Sequence, residues 1–130
     1  MEIKERITGD PFARFLGARF LEIAPGYAVV EIKVPEHLCN FHGIAHGGTI
    51  FALADIAFSA ASNAGGAVAV ALSATINYLK AVPPGATLRA VAREENQGNK
   101  TRLYRIQVVD QNQDLVAVFE GLVYRKINVQ

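Results

Sequence analysis

The sequence predicts an α+β fold in which one long central helix is held in a curved antiparallel β-sheet. Residues 47–63 form a long run dominated by Ala, Ile, Leu and Phe that contains no Pro. The segments that follow alternate as strands do and are separated by turn residues. A helix that is apolar on most sides must be covered, and the sheet is the only element available to cover it. We expect residues 1–130 to form one domain of this kind.

The first part of the chain predicts a helical lead-in followed by a β-hairpin. Residues 1–16 are predicted to be helical because Asp10-Pro11 places an N-cap before Pro at the first helical position. Gly17 ends this segment. The next two segments alternate between apolar and polar residues and are joined by a turn at Pro25-Gly26. These two predicted strands are residues 18–24 and 27–34.

The central helix is predicted over residues 47–63. Gly47 and Gly48 precede its apolar run, and Asn63-Ala64-Gly65-Gly66 is typical of a helix end. Asp55 is its only charged side chain. An unpaired carboxylate in apolar surroundings is costly, so Asp55 must reach water, a partner or a ligand.

Everything after Gly66 predicts β structure. Three turns divide this part of the chain, at Pro83-Pro84-Gly85, at residues 96–99 and at residues 111–113. The four predicted strands are residues 67–80, 86–95, 101–110 and 114–125. Four successive strands with tight turns predict an antiparallel meander.

The composition argues against a nucleic-acid-binding surface as the main function, because the formal net charge is only +1. The hydrophobic share of 51% is somewhat above the usual globular share, and the charged share of 19% is below it. This balance predicts extra burial at a subunit interface.

The sequence also predicts a cytoplasmic protein with no membrane partner. The single cysteine, Cys39, cannot form an internal disulfide, which fits a reducing compartment. The charged start MEIKERITGD lacks the apolar core of a signal peptide. The apolar central helix is too short and too rich in Ala for a convincing membrane span.

The start of the central helix and Asp55 together indicate carbonyl chemistry. Free backbone N–H groups at a helix N-terminus carry partial positive charge, and glycine lets a ligand approach closely. Such an N–H can polarise a carbonyl while a carboxylate activates a nucleophile. Two simpler interpretations stay open. His46-Gly47-Gly48 can be only a cap with a tight turn, and Asp55 can form a solvated stripe with Ser59 and Ser62.

The spacing of these residues resembles a motif of the hotdog-fold acyl-CoA thioesterases, in particular their phenylacetate-degradation (PaaI-type) group. The pattern N-x-x-G-x-x-H-G-G reads from Asn40 to Gly48, and Ala54-Asp55 follows on the helix. The similarity extends to the stretch Ser73–Tyr78 and to the order of the elements. The resemblance implies a hotdog fold and an enzyme that hydrolyses an aryl- or short- to medium-chain acyl-CoA to the free acid and CoA.

The resemblance also implies a role for each matching residue. Asp55 is the expected catalytic carboxylate, acting as general base on water or as nucleophile. The backbone N–H of Gly47 is expected to polarise the thioester carbonyl. Asn40 is expected to help place the carbonyl or the water, His46 to orient the site, and Ser73 to help hold the water.

Six further residues are predicted to contact the substrate. Phe51 and Phe58 would line an aryl or aliphatic acyl pocket, with Gly48 beside them. Three basic residues at strand ends or in turns can meet the CoA phosphates, with ordinary solvated charge as the alternative; they are Lys80, Lys100 and Arg102. No metal site is predicted, since the histidines and acids show no reliable ligand spacing. No cofactor is predicted either, because CoA enters as part of the substrate.

The spacing of Gly47 and Asp55 predicts a homodimer. Eight residues of helix separate them by roughly 12 Å along the axis, at about 1.5 Å per residue. One thioester carbon must lie roughly 3 Å from both the nucleophile and the polarising donor. A single helix cannot meet both demands, so the two groups would come from different copies of the chain. The resemblance implies the same two-fold site, and it allows a tetramer of two dimers.

Two other functions compete with thioester hydrolysis. A non-catalytic acyl-CoA-binding protein would not require a carboxylate at Asp55. A hotdog hydratase or dehydratase would carry a different histidine-plus-acid motif, which is absent from this sequence. The carboxylate on the central helix therefore favours hydrolysis.

Overall fold

The computed structural model describes residues 2–126, in which six strands form one antiparallel sheet around a long helix. The helices are α1 (Ile3–Thr8), α2 (Pro11–Leu16) and α3 (Gly47–Asn63). The strands are β1 (Arg19–Ala24), β2 (Tyr27–Lys33), β3 (Val68–Tyr78), β4 (Thr87–Asn96), β5 (Thr101–Val109) and β6 (Leu115–Lys126). The predicted α+β class and the predicted bounds of the central helix are confirmed.

The prediction of a four-strand meander is wrong for the first of the four strands, β3. The order in the sheet is β1-β2-β4-β5-β6-β3, so β3 pairs with β6 at the far edge and β4 pairs with β2. Helix α3 carries the chain across the sheet from β2 to that edge. The segment after Tyr78 then returns to the middle of the sheet, where the Val34 N–H donates to the Ala86 carbonyl. In the described part of the chain, residues 2–126, the meander consists of β4, β5 and β6 alone.

The N-terminal segment forms two short helices where one helical lead-in was predicted. The Asp10 carboxylate accepts a hydrogen bond from the Phe12 N–H at 2.9 Å and caps α2. Because that cap requires non-helical backbone at Asp10, α1 ends before it. The hairpin of β1 and β2 follows as predicted, with its turn at Pro25-Gly26.

The core lies between α3 and the concave face of the sheet. The alanines of α3 let the helix approach the strands closely, and Phe58 fills the space between them with 1% of its surface exposed. Its ring packs against Tyr104 and Phe119, at centroid distances of 5.7 Å and 5.6 Å. The structure therefore places Phe58 in the core and not in the wall of an acyl pocket, where the sequence predicts it.

Gly121 makes room for that ring on β6. A Cβ at position 121 would lie 2.5 Å from the Phe58 ring, far inside normal contact. We expect Gly121→Ala to lower the free energy of unfolding by about 1–3 kcal/mol, as overpacking does. Chemical denaturation measures this. Gly65→Ala is the matched control, since its Cβ would meet only Pro25 at an ordinary 3.7 Å. Equal stabilities of the two variants would contradict this account of the core.

Candidate active site

The loop before α3 is held by side chains that cap backbone N–H groups. The Asn40 side-chain oxygen accepts from the N–H groups of His42 and Ile44, at 3.0 Å and 3.4 Å. His46 is the N-cap of α3, and its Nδ1 accepts from the Gly48 N–H at 2.8 Å. These bonds leave the side-chain amide of Asn40 as a donor and set the orientation of the His46 ring.

The backbone N–H of Gly47 remains free for a ligand. Within residues 2–126 it donates to no acceptor, as expected for the first residue of a helix. Gly48, whose N–H is taken by His46, has no such donor to offer. The geometry therefore separates the two glycines: Gly47 presents a polarising donor, and Gly48 completes the cap.

Tyr78, for which the sequence predicts no role, covers Gly47. Its hydroxyl donates to the Gly47 carbonyl at 3.0 Å. A Cβ on Gly47 would lie 3.3 Å from the ring, so the ring sets how much space remains at the helix start. No local signal marks Tyr78, because its place depends on the pairing of β3 with β6.

A cavity of about 350 Å³ opens beside this helix start. Its wall includes Asn40, Gly47, Tyr78 and Lys80, together with apolar groups such as Ile50. The structure thus brings Asn40 and Gly47 to one cavity, as the sequence predicts. The apolar part of the wall can hold a non-polar group next to a free N–H, the arrangement that suits a thioester carbonyl.

Asp55 lies two turns further along α3 and outside the wall of this cavity. Its side chain is half-buried, and this burial raises the pKa of the carboxyl above its ordinary value of 3.8. The negative charge of Asp10 raises that pKa further. A raised pKa makes a carboxylate a better proton acceptor near neutral pH. Because α3 is one unbroken helix, a single chain does not bring Asp55 to Gly47.

Ser73 and Phe51, two further residues predicted to belong to the site, differ in how far their side chains are exposed to solvent. Ser73 is exposed on β3, next to a register shift in its pairing with β6. Phe51 is half-buried, and its ring contacts Phe119 at a centroid distance of 5.2 Å. Neither borders the cavity at Gly47.

Two of the three basic residues predicted to bind phosphates have partners within the chain. Lys80 contacts the carboxylates of Asp110 and Asp114 at 2.6 Å and 2.7 Å, and these hydrogen bonds raise the pKa of Lys80. Arg102 lies 3.2 Å from Glu94 and donates to the Gly98 carbonyl. These partners favour a structural role for both. For Lys100, the described part of the chain provides no side-chain partner.

Neither a membrane-spanning helix nor a metal cluster is found in residues 2–126. No helix there is long and apolar enough to cross a bilayer. No group of three or more His, Cys, Asp and Glu residues in that range is placed to hold a metal ion.

Comparison of this chain with known proteins identifies relatives in both sequence and structure. The profile of the thioesterase superfamily matches residues 42–117, which contain the end of the loop, α3, the strands β3, β4 and β5, and the start of β6. Acyl-coenzyme A thioesterase PaaI of Escherichia coli K12 is 40% identical over 116 residues, covering 89% of this chain and 83% of that protein.

Solved structures agree with the sequence matches. The E. coli PaaI protein of the phenylacetic acid degradation operon has a TM-score of 0.92 at 37% identity, covering 97% of this chain and 91% of that chain. A Streptococcus mutans UA159 protein bound to acetyl CoA has a TM-score of 0.81 at 29% identity, covering 87% and 91%. The resemblance drawn from the motif between Asn40 and Asp55 is thereby confirmed.

Proposed function

The chain belongs to the thioesterase superfamily and is a thioester hydrolase with the hotdog fold, and we propose that its substrates are acyl-CoAs cleaved with Asp55 as general base or nucleophile. One observation carries this proposal. The free Gly47 N–H opens onto a partly apolar cavity, and the same helix carries a half-buried carboxylate with a raised pKa. A donor and a carboxylate of this kind are the two groups that acyl transfer to water requires.

In the proposed reaction the Gly47 N–H donates to the thioester oxygen and stabilises the negative charge that develops there. Asp55 either removes a proton from an attacking water or attacks the carbonyl carbon itself. The carbon–sulfur bond then breaks, and the sulfur leaves as the CoA thiol after taking a proton. If Asp55 attacks, water hydrolyses the resulting anhydride in a second step. Asn40 and Ser73 help to place the carbonyl or the water, and His46 orients the helix start.

We propose that each site is shared between two copies of the chain. β3 is an edge strand, and its Val68, Val70 and Leu72 expose 48%, 55% and 56% of their surface. An edge with unpaired backbone groups and exposed apolar side chains supports pairing with a second copy. A two-fold pairing there would place Asp55 of one copy near Gly47 of the other. Two such dimers can form a tetramer.

The proposed acyl group is aryl or of short to medium length. The match to a protein of the phenylacetic acid degradation operon supports an aryl group, and the match to a protein bound to acetyl CoA supports a CoA thioester.

We propose Lys100 as the more available contact for the CoA phosphates, since Lys80 and Arg102 are paired with carboxylates. The chemistry needs no metal or separate cofactor, and the lone Cys39 suits the cytoplasm.

The rate of thiol release across pH tests the proposal. We expect the protein to release CoA from at least one acyl-CoA of this class, with kcat/KM falling at acid pH as Asp55 becomes protonated. Because the pKa of Asp55 is raised, this fall should be centred above pH 3.8. Asp10→Asn removes the second cause of the raised pKa, so the fall should move to lower pH. Asparagine also caps helices, so α2 should persist.

Glu22→Gln is the matched control, since it neutralises an exposed carboxylate on β1. Its pH profile should coincide with that of the wild type. An acid limb that does not move in Asp10→Asn would contradict the assignment of Asp55. Failure to hydrolyse any aryl-, short- or medium-chain acyl-CoA would contradict the function itself.

A further inference from the structure

A second cavity, of about 300 Å³, lies between the N-terminal helices and the C-terminal half of α3. Its floor is apolar and includes Ile7, Phe20, Ile56 and Ala60. Ile56 and Ala60 are buried members of the core, so this floor is continuous with it. The rim is polar and partly charged, and it consists of Arg6, Asp10, Ser59 and Asn63. An apolar floor under a polar rim suits a small, mostly non-polar group.

Asp55 is not itself part of the cavity wall, but Ile56 and Ser59 of the same helix are. Ser59 follows Asp55 by four residues, so the two side chains share one face of α3, roughly 6 Å apart along the axis. Asp10 is also in the cavity wall, and its charge acts on the Asp55 carboxyl. The helix spacing therefore brings the rim of the cavity towards the Asp55 carboxylate, and the effect of the Asp10 charge on the pKa of Asp55 agrees with this.

We propose that this cavity holds the distal end of the acyl group while the thioester carbonyl reacts beside Asp55. The inference rests on the proposed thioesterase function and extends it to the choice of substrate. Helices α1 and α2, which precede the family motif in the sequence, become the elements that select the acyl group. Ile7 on α1 and Ser59 on α3 become specificity-determining residues of the cavity wall.

The volume sets the class of acyl group. A volume of about 300 Å³ lies at the lower end of the range for small-ligand sites. A compact acyl group, such as phenylacetyl or a medium straight chain, suits a cavity of this size. An acetyl group is too short to span the rise from Asp55 to Ser59. Each methylene that enters the apolar floor should raise kcat/KM several-fold, until the floor is covered.

Hydrolysis of a chain-length series tests this cavity. The series comprises acetyl-, butyryl-, hexanoyl-, decanoyl- and phenylacetyl-CoA, measured with the full-length protein. We expect Ser59→Phe to fill the cavity and to lower the ratio of kcat/KM for hexanoyl-CoA to that for acetyl-CoA by about tenfold or more. Ser62→Phe is the matched control on the same helix, because Ser62 is not part of the wall. Its ratio should equal that of the wild type.

Ile7→Ala provides an independent test by enlarging the cavity from the side of α1. We expect it to shift the preferred straight chain from hexanoyl toward decanoyl. If Ser59→Phe does not fold, Ile7→Ala alone tests whether this cavity holds the acyl group. Chain-length profiles that remain parallel to the wild type in the folded variants would overturn the cavity assignment alone. A wild type that hydrolyses none of the five substrates would overturn the proposed function, and this assignment with it.

Discussion

Asp55→Asn is expected to lower kcat by roughly 10²-fold or more, the scale on which loss of a general base acts. The amide has nearly the shape of the carboxylate but can neither accept the proton of a water nor attack a carbonyl. The side chain is half-buried and has no hydrogen-bond partner within residues 2–126, so the substitution breaks no hydrogen bond there. KM should change much less than kcat, since Asp55 acts on the reacting atoms.

The same variant should be at least as stable as the wild type at neutral pH. Burial raises the pKa of Asp55 in the folded protein above its ordinary value. Between the two pKa values the folded state binds more protons than the unfolded state, so stability falls as pH rises through that window. Above the window the charged Asp55 costs stability, and asparagine removes that cost. Thermal unfolding at neutral and at acid pH measures the difference, which should vanish at acid pH.

Glu22→Gln is again the control for neutralising a carboxylate, and it should keep both turnover and thermal stability. Turnover of the best acyl-CoA at close to the wild-type rate by Asp55→Asn would remove Asp55 from the mechanism. A clear loss of stability in that variant would instead indicate a structural role, with Asp55 part of a solvated stripe on α3.

Mixing two inactive chains is expected to restore activity. One chain carries Asp55→Asn and the other carries Gly47→Leu, which blocks the helix start. A Cβ at position 47 meets Tyr78, whose half-exposed side chain has room to move, so we expect this variant to fold. A mixed dimer contains one site with both defects and one with neither. Activity should therefore return to about half of the wild-type sites in each mixed dimer.

The two chains need different affinity tags, so that recovery of both from one column proves subunit exchange. Each variant mixed with a tagged copy of itself is the control and should stay inactive. Proven exchange without recovered activity would show that Gly47 and Asp55 act within one chain, and the shared site would then be wrong. Failure of the tagged chains to associate at all would contradict the pairing at β3.

Most local features of this protein, apart from the break between α1 and α2, were determined by the sequence alone. The bounds of α3, the cap at His46 and the hairpin turn at Pro25-Gly26 all follow from residues that are neighbours in the chain. The site loop could be predicted for the same reason, because Asn40 and Gly47 belong to one short segment. Caps, turns and hydrophobic periodicity act over a few residues, so they can be recognised without knowledge of the fold.

Only the tertiary structure decided the features that join distant parts of the chain. The hydrogen bond from Tyr78 to Gly47 spans 31 residues, and it exists because β3 crosses to the edge beside β6. Phe58 and Asp10 also act on residues distant in the chain. The Phe58 ring fits into the core because position 121 has no side chain, and the charge of Asp10 raises the pKa of Asp55 on another helix. The physical reason is common to all three. Burial and the field of a charge depend on which elements pack together, and the local pattern of residues does not specify that packing.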